Sequence, residues 1–195
     1  MKSTPTKTRS YSQVARAEAA EATGQRIVEA FLARLMTQWY DDITLDAVAK
    51  DAEVTVQTVI RRFGGKNELL AKSVEIFARQ VESQRILGDL DHTIDGLFAD
   101  YENTGDTVIR LLALESRYPA LQSVLKMGRG YHREWVAKAF ASDLPSLDAA
   151  TRERIIDRLV IAADVYTWKL LRRDLGRSLE ESKAQVKSMI QAAVA

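Results

Sequence analysis

The chain has 195 residues, 46% of them hydrophobic, with nine glycines, three prolines and no cysteine. That is enough apolar material for one large or two small buried cores. The missing cysteines exclude a disulfide framework and a thiolate zinc site, and they agree with a reducing cytosol. A net charge of +1 favours no polyanionic partner by itself. With no signal-type apolar core near Met1 and no run of about 18 apolar residues, a cytoplasmic protein without a membrane partner is expected.

Long stretches of Ala, Leu, Glu, Arg and Lys without β-branched alternation predict an all-α protein. Residues 1–16 carry Lys2, Lys7, Arg9 and Arg16 and no acidic side chain. They read as a basic arm, either a disordered tail or a source of extra phosphate contacts. A helix is expected from about Ala17 to Gln38, its packing face marked by Ile27, Phe31 and Leu35 at i+4 spacing, with Val28 and Leu32 beside them. Gly24 weakens its beginning. Trp39 and Tyr40 read as core at the base of a three-helix unit.

The stretch Ile43 to Leu70, ITLDAVAKDAEVTVQTVIRRFGGKNELL, is the most informative. Leu45, Val48 and Ala49 lie at i, i+3 and i+4, so a short helix with one apolar face follows a Thr44 cap. Ala52, Glu53 and Val54 make a turn, and Thr55 caps a second helix with Val59 and Phe63 inward. Ala49 is small enough to let the two helices cross closely. Outward on the second helix lie Thr55, Val56, Gln57, Thr58, Arg61 and Arg62. Gln pairs bidentately with adenine, Arg with guanine, and Thr or Val methyls meet the thymine methyl, so this face could read major-groove edges. Residues 54–72 set Arg61, Arg62, Lys66 and Lys72 against Glu68 alone, which concentrates positive charge where a phosphate backbone would lie. Gly64 and Gly65 end the helix, and the next one opens at Lys66 with Leu69, Leu70, Val74 and Phe77 inward.

Beyond a loop at Gly88–Asp89–Leu90–Asp91, helices are expected at about 92–103, 106–117, 119–141, 148–174 and 179–193. Asn103–Thr104–Gly105, Tyr118–Pro119, Ser142–Asp143–Leu144–Pro145 and Gly176–Arg177–Ser178 punctuate them. Ser178 and Glu181 form a capping box for the last helix. Gly128–Arg129–Gly130 reads as a kink or a close helix contact. His92 with Asp91 or Asp95 could meet a metal, but a solvent-facing histidine is the simpler reading, and His132 sits in no metal-ligand spacing. No phosphate loop or nucleophile elbow is present, so no enzyme, no cofactor and no metal are expected.

The frame Ile43–Thr44–Leu45, Val48–Ala49, Ala52, Val54–Thr55, Thr58–Val59, Phe63, Lys66 and Leu69 resembles the N-terminal domain of the TetR (tetracycline-repressor-like) family of bacterial transcriptional regulators. The chain departs from the family pattern at Glu53 and Trp39, where the family usually has Gly, and at Ile60 and Arg62, where it usually has aromatics. The resemblance implies a basic arm over 1–16, a helix-turn-helix DNA-binding domain over 17–66, and a helical ligand-binding and dimerisation domain over 67–195, about nine helices in all. It implies a repressor that binds a palindromic double-stranded operator as a homodimer and is released by a small-molecule effector. The fourth helix would link the two domains. The alternative is an all-helical binding module that keeps the fold without specific DNA binding. The expected DNA-binding residues are Thr44, Thr55, Val56, Gln57, Thr58, Arg61, Arg62 and Lys66, the last as a phosphate contact because the family has lysine at the matching position.

Helix-turn-helix proteins usually bind as two-fold dimers on half-sites ~34–36 Å apart or a multiple of that. Candidate dimer residues are Ile155, Leu159, Ala162, Ala163, Tyr166 and Leu170 on one helix and Val186, Met189, Ile190 and Val194 on the last, unless these stripes pack within one chain. Candidate pocket residues are Phe98, Tyr101, Arg110, Leu114, Tyr118, Met127, Tyr131, Trp135, Tyr166 and Trp168, although aromatics at helical spacing are more often plain core. Arg110, in an otherwise apolar run, could meet an anionic ligand or pair with Glu115.

Overall fold

A computed structural model describes residues 7–84, 89–141 and 148–194, and these are helical with short connections. The chain divides into two compact units, Met1–Ser73 and Val74–Ala195. The first holds α1 (Lys7–Thr37), a single 3-10 turn at Tyr40–Asp42, α2 (Leu45–Asp51), α3 (Val56–Phe63) and the start of α4 (Lys66–Gln84). The second holds the rest of α4, α5 (Leu90–Ala113), α6 (Pro119–Ala139), α7 (Ala149–Ala162), α8 (Val165–Lys169) with a π-helical turn at Leu170–Asp174, and α9 (Leu179–Val194).

In the first unit α1 buries Ile27, Val28, Phe31 and Leu35 with Ile43, Val48, Ala49, Ala52, Val59, Leu69 and Leu70, while Leu32 is half-buried. Helix α1 begins at Lys7, ten residues before the expected start, so residues 7–16 are helix and not the disordered tail that is one reading of their sequence. Good helix formers such as Ala15, Ala17, Ala19 and Ala20 carry the helix back from its packed part. Tyr40 is core, as expected, and its hydroxyl donates to Asn67 Oδ1 at 2.5 Å. Trp39 is not core: it is 46% exposed, because the turn that buries Tyr40 points its neighbour outward.

In the second unit α5 supplies Ile94, Leu97, Phe98 and Tyr101 to a core shared with Trp135, Val136 and Phe140 of α6, Leu159 and Ala162 of α7, Trp168 of α8, and Val186, Ile190 and Ala193 of α9. Asp89 caps α5 by accepting from His92 N–H. The expected break at Asn103–Thr104–Gly105 is absent: α5 runs through it, with Thr104 and Gly105 buried against their neighbours. The helix expected over 148–174 is broken at Ala163–Asp164, where Asp164 starts a new helix by accepting from Tyr166 N–H. The capping box at Ser178 and Glu181 is formed, with Ser178 N–H and Oγ donating to Glu181 Oε2 and Glu181 N–H donating back to Ser178 Oγ. The expected loop at Ser142–Pro145 lies outside the described residues.

Candidate nucleic-acid interface

Helices α2 and α3 are short, so tertiary contacts and caps hold them, not propensity. Thr44 Oγ1 accepts from Ala47 N–H and Thr55 Oγ1 from Thr58 N–H, which satisfies a free donor at each N-terminus. Between the helices Glu53 sits at φ 54°, the left-handed conformation that glycine adopts without cost. Its amide donates to Lys50 O and that of Val54 to Ala49 O, so the turn is pinned by backbone bonds despite the side chain. Arg26 of α1 adds a bond from Nε to Ala52 O at 3.4 Å, and Arg34 holds Asp51 at 2.6 Å. The hydrogen bond from Arg34 keeps the Asp51 carboxyl below the ordinary aspartate range. Gly64, at φ 91°, ends α3.

This scaffold fixes the face that α3 presents. Val59 is buried completely, while Thr55, Gln57, Ile60, Arg61 and Arg62 are exposed and Val56 and Thr58 are half-buried. The Thr55 and Thr58 hydroxyls are 2.9 Å apart. Of the expected DNA-binding residues, Thr44, Thr55, Gln57, Arg61 and Arg62 are exposed and Val56, Thr58 and Lys66 half-buried, and they are not equivalent. Gln57 and Arg61 stand on the open row of α3. Arg62 turns back to α1, where Nη2 meets Glu21 Oε2 at 3.1 Å. Lys66 is half-buried: Nζ lies 4.3 Å from the Tyr40 ring centroid and donates to Asp41 O at 3.3 Å. Burial pulls its ammonium below the ordinary lysine value, against the opposing pull of Asp41 and Asp42. The sequence reading missed Glu21 and Gly24, which face Arg62 from α1; nothing in local spacing marks a contact between residues 41 apart in sequence.

The residues assigned to a pocket divide. Phe98, Tyr101, Trp135 and Trp168 are core, with the Tyr101 hydroxyl donating to Ala163 O at 2.9 Å and Trp168 Nε1 donating to Glu102 Oε1 at 2.9 Å. Leu114, Tyr118 and Met127 are half-buried, whereas Tyr131 and Tyr166 are exposed at 39% and 56%, so these two belong to the surface. Arg110 donates to Thr107 Oγ1 at 3.0 Å, and Glu115 is held instead by both terminal nitrogens of Arg129.

The candidate dimer residues divide as well. Leu159, Ala162, Ala163, Val186 and Ile190 fill this chain's own core, because α7 and α9 each turn one stripe inward. Ile155 and Val194 pack partly against that core. Tyr166, Leu170 and Met189 remain exposed, and Ile161 and Leu175, which the sequence reading passed over, are exposed with them. Among the described residues no group of three or more metal-ligating side chains is assembled, and His92 pairs with Asp89.

No protein-family model and no curated protein matches the sequence. Solved structures do match. A transcriptional regulator from Rhodococcus sp. Rha1 aligns at TM-score 0.69 and 12% identity over 88% of this chain and 95% of its own. A Rhodococcus sp. protein assigned to the TetR family of transcriptional regulators aligns at 0.70 and 15% over 90% and 100%. This chain has the TetR-family fold. A transcriptional regulator from Pseudomonas aeruginosa PAO1 aligns at 0.69 and 13% over 88% and 89%. The likeness spans both units, so the helices beyond α4 follow the TetR-type plan as well as the helix-turn-helix does.

Proposed function

We propose that this protein is a DNA-binding transcriptional regulator of TetR type, a repressor whose two copies grip a palindromic operator and release it when a small molecule binds. The observation that carries the reading is the α3 face: Gln57 and Arg61 project from a helix that is capped by Thr55, stopped by Gly64 and locked by the wholly buried Val59. A row of potential base readers on so rigidly held a helix suits the major groove, which admits one α-helix. Thr44, Thr55, Val56 and Thr58 flank that row and provide hydroxyl and methyl contacts to backbone and bases. Lys66 lies at the N-terminus of α4, where its ammonium and free backbone N–H groups together suit a phosphate. The second copy meets the first through the exposed Ile161, Tyr166, Leu170, Leu175 and Met189 surface. The effector half of the reading draws on the aromatic second-unit core and on Arg110 as an anion partner.

The test is selection from a pool of duplexes with a randomised core, followed by titration of the enriched duplex. Arg61→Ala and Gln57→Ala should each lose ~1–3 kcal/mol and relax preference at one base position. Lys66→Ala should weaken all duplexes alike and lower the salt slope by about 1. Stoichiometry should be two chains per duplex. Enrichment of no sequence, or indifference to all three substitutions, would exclude a DNA reader and leave a binding module built on the same fold.

A further inference from the structure

Gly24 is buried in the middle of α1, where glycine costs about 1 kcal/mol relative to alanine. A Cβ built there would lie 2.2 Å from Arg62 Nε, 2.3 Å from Nη2 and 2.5 Å from Cζ. The guanidinium of Arg62 therefore occupies the space a side chain at position 24 would take. One turn earlier on α1, Glu21 receives Nη2 at 3.1 Å, while 29% of the Arg62 side chain remains accessible. Arg62 thus reaches from the last turn of α3 across to α1, and its charge is matched by a carboxylate there. Its neighbour Arg61 is about 100° further round the helix, on the open face.

We infer that Gly24 and Glu21 form a seat for the Arg62 guanidinium, making Arg62 a positioning residue that fixes the set of α3 on α1 and not a contact to the nucleic acid. The inference deepens the DNA-reading proposal and rests on it for its functional half. A planar guanidinium suits such a slot, since it lies flat against a helix backbone and keeps donors at its edge for a carboxylate, which an ammonium cannot do. The pair with Glu21 orients the group, whereas the covered stem and the contact at Gly24 hold the helix.

Gly24→Ala is the discriminating variant, because the atoms in its way are the far end of a flexible side chain. The protein should fold normally, with a melting temperature unchanged or raised, and only Arg62 should be displaced. In ¹⁵N spectra the Arg62 Nε–Hε resonance should stand apart from the solvent-exposed arginine envelope in the wild type, because Nε packs over Gly24, and should collapse into that envelope in Gly24→Ala. This readout needs no DNA, so it stands even if selection returns no duplex and the DNA reading fails. On the enriched duplex against a scrambled one, Gly24→Ala and Arg62→Ala should each cut the affinity ratio about five-fold, and the double variant no further. Arg62→Lys should fail to restore the ratio, and the salt slope should be the same in all of these proteins. An Arg62 resonance unmoved by Gly24→Ala would overturn the seat. A salt slope lowered by about 1 in Arg62→Ala and restored in Arg62→Lys would overturn the positioning role in favour of a phosphate contact.

Discussion

Gly105→Ala should destabilise the second unit, although the same change in a solvent-facing helix would stabilise it. Gly105 lies inside the continuous α5, where alanine is worth ~1 kcal/mol more than glycine. Opposing this, a Cβ there would fall 2.5, 2.7 and 2.9 Å from Cζ3, Cη2 and Cε3 of Trp168. The ring has little freedom to yield. It is 1% exposed, its Nε1 is bonded to Glu102, the Arg173 guanidinium lies 4.5 Å from it, and Tyr101 stands 6.0 Å away. Overpacking of this kind costs ~1–3 kcal/mol. Shifting the indole enough to admit a methyl also strains a hydrogen bond to a charged acceptor, worth ~1.5–3 kcal/mol if lost. Net of the propensity gain, a loss of about 2–3 kcal/mol is expected. At ~2–4 °C per kcal/mol for a chain of this size, the melting temperature should fall by about 5–10 °C. Calorimetry measures the drop, and near-UV circular dichroism should show a changed tryptophan band. A melting temperature equal to or above the wild type would refute the picture of Trp168 as boxed in.

Glu53→Gly should raise stability by ~1 kcal/mol, because the left-handed φ at this position then carries no side-chain cost; Glu53→Ala should give no comparable gain. Urea midpoints of the three proteins decide this, and equal midpoints for Gly and Ala would show that the turn is unstrained. For pH, the hydrogen bond from Arg172 holds the Glu102 carboxyl below the ordinary glutamate range, with a further contribution from Trp168. A carboxyl depressed in the folded state adds stability above its unfolded value, and that stability drains away as pH falls through the folded one. Wild-type stability should therefore decline from about pH 5 downward more steeply than that of Glu102→Gln, which keeps an acceptor for Trp168 without the charge. Parallel acid limbs for the two proteins would assign the decline to other carboxylates.

The helix-turn-helix was legible because its caps, its apolar spacing and its stop signal are local, even though contacts from α1 help to hold it. Thr44 and Thr55 cap within three residues, Val48, Ala49 and Val59 mark their faces by spacing alone, and Gly64 stops α3 where φ must be positive. Trp39 was misread because hydrophobicity says nothing about direction: a single 3-10 turn buries Tyr40 and turns the larger ring out. The candidate dimer stripes mixed core and surface residues for a related reason. A helix in a bundle buries one stripe in its own chain before it offers another to a partner, and Leu159, Val186 and Ile190 belong to the first kind. Tyr166, Leu170 and Met189 are the candidates left exposed.

The two glycines read as weak points share one explanation. Gly24 and Gly105 both looked like helix breakers, and both lie inside unbroken helices. Each is the place where a large side chain from a distant part of the chain comes to rest, Arg62 at one and Trp168 at the other. Propensity prices such a glycine at about 1 kcal/mol, a sum that packing around a fitted side chain can exceed. The two seats differ in what fills them, and that difference fixes how they should respond to a methyl group. A guanidinium on a flexible stem can leave, so Gly24→Ala should keep the fold and displace the arm. A boxed indole cannot leave, so Gly105→Ala should strain the core itself. If the two alanine variants behaved alike, filling the space at a helical glycine would depend on the glycine and not on its occupant, and the roles given to Arg62 and Trp168 would both fall.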